Sequence, residues 1–264
     1  MVLETLVSIR EAVKHPIWMF FIGAFVSLIS LFMAFVVFPE STGLFTTIFI
    51  TFAMTPFMVN LLAYEAFVTE YEVKKRMKQS FFDRYKETLA VYVAFFTGMI
   101  LALSIVFIFL PEATVNNLFQ DQITEIRLIR GSFLFQSTFL KILMNNVGVL
   151  TLSVMFAFIF GSGAIFILSW NASVLSTAIG LTAKSLGGLH GVPVALATYM
   201  PHGVFEIAAY FLGGIAGGIL SAALMKRKTE LFNVIIKDSL RVVAIAVVLL
   251  FMGAFIESFL IVSA

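Results

Sequence analysis

The residues that could do chemistry in this sequence lie within one long apolar stretch. Glu206 is the only formal charge between Lys184 and Lys226. An ionisable side chain inside a membrane helix is costly unless it is paired, and such residues usually serve a function. His202 lies four residues earlier, which places it on the same helical face as Glu206. These two residues are therefore the first candidates for a functional site.

Other polar residues predict a larger intramembrane site around this pair. Pro201 favours the first turn of a helix, so we expect a discontinuous helix that begins close to His202 and Glu206, as in many transporter sites. Asparagine amides and a second histidine are the candidate partners of the buried carboxylate. The predicted polar site comprises His190, His202, Glu206, Asn145, Asn146 and Asn171.

Three interpretations of this site stay open on the residues alone. The first is a structural, hydrogen-bonded pair that holds helix ends together. The second is a divalent metal bound by His202 and Glu206, with or without His190 as a third ligand, because an i, i+4 spacing suits two metal ligands on a helix. The third is proton or ion passage through Glu206. The chain has no Cys, so thiolate sites are excluded, and no other cofactor is expected.

Small residues follow the polar pair along the same helix. Glycines four residues apart let a neighbouring helix approach closely. We therefore predict helix packing here, and a homo-oligomer that packs through this helix. The glycines are Gly213, Gly214, Gly217 and Gly218.

The composition requires that these residues are carried by membrane helices. Hydrophobic residues make up 61% of the chain and charged residues 12%, and the mean hydropathy is +1.05. A soluble domain carries about 25% charged residues, so this chain could not cover a globular surface. A net charge of +2 gives no indication of nucleic-acid binding. The predicted fold is an all-α, polytopic transmembrane bundle with interfacial amphipathic helices.

Apolar stretches of about 20 residues, the length needed to cross the hydrocarbon core, define the predicted spans. Residues 142–183 carry no formal charge and are too long for one crossing, so the chain must turn, and residues 169–171 are the polar break. About six to seven crossings are expected, including one short or broken helix. The predicted segments are 17–38, 44–63, 88–110, 147–168, 172–186, a short piece at 192–200, 202–225 and 242–264. Glu257, in the last span, is expected to snorkel or to pair at the interface.

Two loops rich in Lys and Arg predict the sidedness. Residues 64–87 carry six of these cations and residues 226–241 carry five. Because such loops stay in the cytoplasm, both are predicted on that side, with seven crossings and the C-terminus outside.

One integral membrane domain is expected to span residues 1–264. Residues 1–15 form an amphipathic N-terminal helix and residues 17–110 form three spans. Residues 111–146 form an extracytoplasmic amphipathic region, and residues 147–264 form the C-terminal bundle.

The C-terminal half carries a recognisable order of motifs. Asn145-Asn146 opens a hydrophobic helix with glycines in its middle, and Asn171 follows it. Pro201-His202-Gly203 and Glu206 then lead into the glycine-rich helix. In this order the chain resembles the stage II sporulation protein M family. The resemblance implies an integral membrane scaffold, which in endospore formers holds peptidoglycan-degrading enzymes at the septal membrane, and the family includes archaeal members.

We therefore expect a non-enzymatic, multi-pass scaffold or assembly protein of the cell membrane. Its expected partners are the lipid bilayer, a second copy of the chain, and membrane or cell-envelope proteins, with no nucleic acid. The first alternative is a transporter or channel with its site at Glu206 and His202. The second alternative is a membrane-embedded, metal-dependent hydrolase.

Overall fold

The protein is built from α-helices. The computed structural model describes residues 7–75, 81–129, 135–225 and 229–263. Within these ranges the chain forms ten α-helices and two 3₁₀ turns, Pro39–Ser41 and Gly188–Gly191, and no β-strand. The helices are α1 (Ile9–Lys14), α2 (Ile17–Val37), α3 (Thr42–Lys74), α4 (Phe81–Phe109), α5 (Glu112–Leu118), α6 (Gln120–Ile129), α7 (Phe135–Phe160), α8 (Ala164–Ser185), α9 (Val192–Met225) and α10 (Thr229–Ser263).

Seven helices of the described ranges are long and apolar enough to cross a membrane. They are α2, α3, α4, α7, α8, α9 and α10. The predicted all-α membrane bundle is thereby confirmed. The short α1 precedes the first span, and α5 and α6 lie between α4 and α7. Residues 1–6 of the predicted N-terminal helix lie outside the described ranges, as do parts of both Lys/Arg-rich loops and residues 130–134 of the amphipathic region.

The turn within the long uncharged run lies earlier than predicted. Helix α7 ends at Phe160 and α8 begins at Ala164, so the break falls at Gly161–Gly163 and not at residues 169–171. Gly161 has a φ of +73°, a conformation that glycine adopts without steric cost. Helix α8 is consequently a full span of 22 residues, and the predicted short or broken crossing is wrong.

The predicted break before His202 is also absent. Helix α9 runs without interruption through Pro201 for 34 residues. Membrane helices tolerate an internal proline because neighbouring groups and small adjustments satisfy the freed carbonyl. Pro201 is exposed on the helix surface, so its ring does not collide with a packed neighbour. The site residues therefore lie within a continuous helix and not at the start of a broken one.

The beginnings of α4 and α10 meet at one end of the bundle. Arg84 donates to Asp238 at 2.5 Å, and both side chains are largely buried, at 4% and 15% exposure. Beside this ion pair, the hydroxyls of Thr69 and Tyr85 are 3.2 Å apart and join the end of α3 to the start of α4. The end of α3 and the beginnings of α4 and α10 therefore lie at the same end of the bundle, and the predicted sidedness stays a prediction.

At the opposite end, α6 is fastened onto two spans. The Asp121 carboxylate accepts from the backbone N–H of Leu44 at 2.9 Å, which satisfies a free donor in the first turn of α3. The amide of Gln122 donates to Ser173 of α8 at 3.2 Å. A Cβ on Gly43 would lie 2.1 Å from Gln122 Oε1, so any larger residue there would require the Gln122 side chain to move. This part of the predicted amphipathic region is thus packed onto the bundle.

Candidate intramembrane site

Three polar side chains from three helices form the centre of the candidate site. The amide of Asn146, on α7, donates to Glu206 Oε1, on α9, at 2.6 Å. The carboxyl group of Glu257, on α10, lies within hydrogen-bonding reach of Glu206. A carboxylate has no donor, so a hydrogen bond between two carboxyl groups requires that one of them carries the proton. We refer to Asn146, Glu206 and Glu257 as the polar cluster.

A glycine brings the third helix to this cluster. A Cβ on Gly253 of α10 would lie 3.1 Å from Glu206 Cγ and 3.4 Å from the backbone oxygen of His202. These separations leave little room for a side chain. Gly253 precedes Glu257 by one helical turn, so both residues occupy the face of α10 that contacts α9. The close approach at Gly253 therefore positions the Glu257 carboxyl beside Glu206.

His202 is buried next to the cluster but makes different contacts. The residue is 8% exposed, and its ring lies against Tyr199 with 6.3 Å between ring centroids. Within the described ranges, His202 Nδ1 has no hydrogen-bond partner. The shared helical face therefore brings His202 close to Glu206 along the chain without a hydrogen bond between them.

The remaining predicted members lie at the margin of the cluster or away from it. Asn145 is exposed and donates to Asn146 Oδ1 at 3.4 Å. Asn171 donates to the carbonyl of Ile167 in its own helix at 2.8 Å. His190 is exposed in the turn before α9, and the first residue of α9, Val192, is already about 21 Å along the helix axis from Glu206 at 1.5 Å per residue. The predicted site is thus assembled only in part.

Glu257 belongs to the polar cluster, although the sequence analysis placed it at the membrane interface. It is the only formal charge in the predicted last span, and its nearness to the end of that span favoured an interfacial role. The signal that points inward is the glycine one turn before it, because glycine marks a face where helices approach closely. A carboxyl group beside such a glycine faces another helix.

The three-ligand form of the predicted metal site is not assembled, and metal binding by His202 and Glu206 alone stays a prediction. The described residues contain no group of three or more His, Cys, Asp or Glu side chains placed to hold a metal ion. His190 lies too far from His202 and Glu206 to bind the same metal ion.

Comparison with known proteins adds the family to this geometry. The model of the Stage II sporulation protein M family matches residues 88–260, which include α7, α8, α9 and the polar cluster. The chain belongs to this family. It is 30% identical over 172 residues to the uncharacterized protein MJ0793 of Methanocaldococcus jannaschii, a match that covers 62% of this chain and 90% of that protein. No solved structure matches the chain.

In this stage II sporulation protein M family member, the glycines of α9 contact other helices of the same chain. A Cβ on Gly213 would lie 2.4 Å from Leu150, and one on Gly217 would lie 2.5 Å from the carbonyl oxygen of Val154. On the adjoining face, Gly214 and Gly218 meet α8 and α3 in the same way: the nearest atoms are Ala164 Cβ at 3.0 Å and Leu62 Cδ1 at 2.4 Å. The expectation that this helix forms an oligomer interface through its glycines is therefore wrong, because α7, α8 and α3 occupy that surface. Oligomerisation stays a prediction and needs a different surface.

A groove lies between α4 and α9 of this family member, away from the polar cluster. Its volume is about 530 Å³, and its walls are formed by apolar side chains such as Ile100, Ile105, Leu196 and Val204. None of the three cluster residues lines it. The polar groups and this groove are thus separate features of the bundle.

Proposed function

We propose that the protein is a non-enzymatic integral membrane scaffold of the stage II sporulation protein M type, which holds membrane or envelope proteins together in the cell membrane. The observation that carries the proposal is the position of the polar cluster within helix contacts. Asn146 donates directly to Glu206, and Gly253 packs against the same side chain. Polar groups that bond across helices in this way hold a bundle in one arrangement.

A scaffold needs a rigid set of surfaces, and the cluster joins the helices that would present them. The helices α7 and α10 lie at the periphery, with 28% of each span buried, and α9 is more central, with 67% buried. The cluster fastens both peripheral helices to α9. Their apolar outer faces are then held in a fixed relation for contact with partner membrane helices.

The scaffold proposal predicts that the charge at Glu206 is dispensable. The gene is deleted in the native host, and membrane complexes that depend on it are identified by native electrophoresis and mass spectrometry. Complementation with Glu206→Gln restores these complexes, because glutamine keeps the shape and an acceptor oxygen for Asn146. A Glu206→Gln protein that reaches the membrane at the normal level, folds normally and restores no complex contradicts the proposal.

A second candidate is a proton-coupled transporter or channel, which is favoured by the contact between two carboxyl groups inside the bundle. Intramembrane carboxyl groups form proton relays in pumps and transporters. The purified protein is reconstituted in vesicles that contain a pH-sensitive dye, and an inward proton gradient is applied. Proton flux that Glu206→Gln abolishes supports transport, whereas equal dye responses of wild type, variant and empty vesicles exclude proton passage.

A further inference from the structure

The groove between α4 and α9 has the length of one membrane crossing. On α4 its wall runs from Leu89 to Ile108, and on α9 from Val192 to Phe211. Nineteen helical steps correspond to about 28 Å, which is close to the hydrocarbon thickness of about 30 Å. The side chain of Ser104 turns inward, since its hydroxyl donates to the carbonyl of Ser176 at 3.2 Å. The groove is therefore apolar over nearly the whole depth of the bilayer.

The cross-section of the groove decides what can enter it. A volume of about 530 Å³ over a length of about 28 Å gives an average free cross-section of about 19 Å². An α-helix with side chains is about 10–12 Å wide and occupies about 80–110 Å². A hydrocarbon chain whose carbons contact their neighbours at about 4 Å is a rod of about 13–16 Å² in cross-section. The groove consequently has room for an extended hydrocarbon chain and is too narrow to enclose a helix.

A cation lies where the groove reaches the end of the bundle that bears the Lys/Arg-rich connections. Lys86 is exposed and lies three residues before Leu89 and seven before Val93, on the face of α4 that forms the wall. Arg84, two residues earlier, is instead buried and paired with Asp238. Lysines at a membrane surface attract anionic headgroups. Lys86 is therefore placed to meet a phosphate whose chain enters the groove.

We propose that the groove between α4 and α9 is a binding site for an anionic phospholipid, with one hydrocarbon chain along the groove and the phosphate at Lys86. The lipid covers apolar walls that belong to two different helices, so it contributes to their packing in the membrane. This site is independent of the polar cluster and of the scaffold proposal, because no residue of the cluster lines it.

The test counts retained lipids. The full chain is reconstituted in vesicles of mixed phosphatidylglycerol and phosphatidylcholine, extracted in mild detergent, and measured by native mass spectrometry. Ala208, in the α9 wall, is changed to Phe to fill the groove, and Ala244, exposed on α10, receives the same change as the control. We expect wild type and Ala244→Phe to retain a phosphatidylglycerol molecule and Ala208→Phe to lose it. Val204→Phe, at a more exposed position of the same wall, is a second blocking variant in case Ala208→Phe does not fold.

Headgroup recognition is tested separately. Lys86→Gln is compared with Lys237→Gln, another exposed lysine near the same end. We expect Lys86→Gln to lower the preference for phosphatidylglycerol over phosphatidylcholine about fivefold, the equivalent of about 1 kcal/mol for one basic residue near an anionic surface. Lys237→Gln leaves the preference unchanged. Equal lipid retention by blocking variants and control overturns the chain site, and an unchanged preference in Lys86→Gln overturns the phosphate contact.

Discussion

Alanine substitutions at two glycines of α9 should change stability in opposite directions. Gly217 faces α7, and a Cβ there would lie 2.5 Å from the carbonyl oxygen of Val154 and 2.9 Å from Ala157 Cβ. Gly203 lies in the same helix, and a Cβ there would meet no atom within 4 Å. The two positions therefore differ in the space available and share the same kind of backbone.

The magnitude follows from two contributions. Alanine favours the helical conformation over glycine by about 1 kcal/mol, and both variants gain this amount. Only Gly217→Ala must separate two helices by about 1 Å to restore an ordinary contact, and overpacking of this kind costs about 1–3 kcal/mol. The propensity gain cancels in the comparison, so the difference between the variants isolates the steric cost. At about 2–4 °C per kcal/mol for a chain of this size, Gly217→Ala should unfold about 2–12 °C below Gly203→Ala.

The assay is thermal unfolding of the purified protein in detergent, with wild type and Gly148→Ala beside the two variants. Gly148, on α7, is exposed and has open space for a Cβ, so it is a second control for the propensity gain. Gly203→Ala and Gly148→Ala should unfold at or above the wild-type temperature. The reasoning is refuted if Gly217→Ala is as stable as these two controls.

Further predictions concern the polar contacts. Glu206→Leu should lower the free energy of unfolding by about 1–3 kcal/mol, because the Asn146 amide loses its acceptor and the contact with Glu257 is lost. Glu206→Gln should stay close to wild type in thermal unfolding. Glu257→Leu should be less harmful in a Glu206→Leu background than in wild type, and additive effects in this double-mutant cycle would contradict a direct contact. Arg84→Gln should cost up to about 3 kcal/mol in chemical unfolding, because the largely buried Asp238 then keeps only the more distant Arg241, at 3.8 Å, and the loss should shrink when Asp238→Asn is added. Reporter fusions should place the connections after α3 and α9 on one side and the C-terminus on the other, and a C-terminus found on the same side as these connections would exclude seven crossings.

The sequence was sufficient for the membrane class and for part of the site. A charge-free stretch has one physical solution in a bilayer, so most spans could be located from composition alone. Glu206 and Asn146 are in contact although they are 60 positions apart in the sequence. This contact could be predicted because a carboxylate among membrane helices needs a hydrogen-bond donor, and the asparagine amides were the candidate donors. The requirement for a partner was predictable, and the choice of Asn146 over Asn171 was not.

The errors have physical causes in how polar side chains are satisfied. Residues 169–171 read as a break because they are polar, yet Asn171 bonds to the carbonyl of Ile167 and Ser169 is buried inside α8. A polar residue that bonds to its own helix does not end that helix. The observed turn at Gly161 depends on the backbone freedom of glycine. Glycine is a weak indicator of a turn in a membrane helix, because it also occurs there where helices pack closely. The helix break predicted at Pro201 is wrong for a related reason, because an exposed proline is tolerated in a membrane helix.

The glycines and the polar cluster perform different tasks on α9, which contacts α3, α4, α7, α8 and α10. Packing between small residues does not by itself fix how far along the helix axis two helices are shifted. Gly213 and Gly217 are four residues apart, so a shift of α9 along α7 by about 6 Å would place one glycine where the other had been. The same shift would carry Glu206 away from the Asn146 amide, now 2.6 Å from its oxygen, and from Glu257. A polar group that finds its partners in one register only specifies that register, as a single buried asparagine does in coiled coils. We infer that the glycines allow α9 to approach its neighbours and that the polar cluster determines at which height along the bundle it stops.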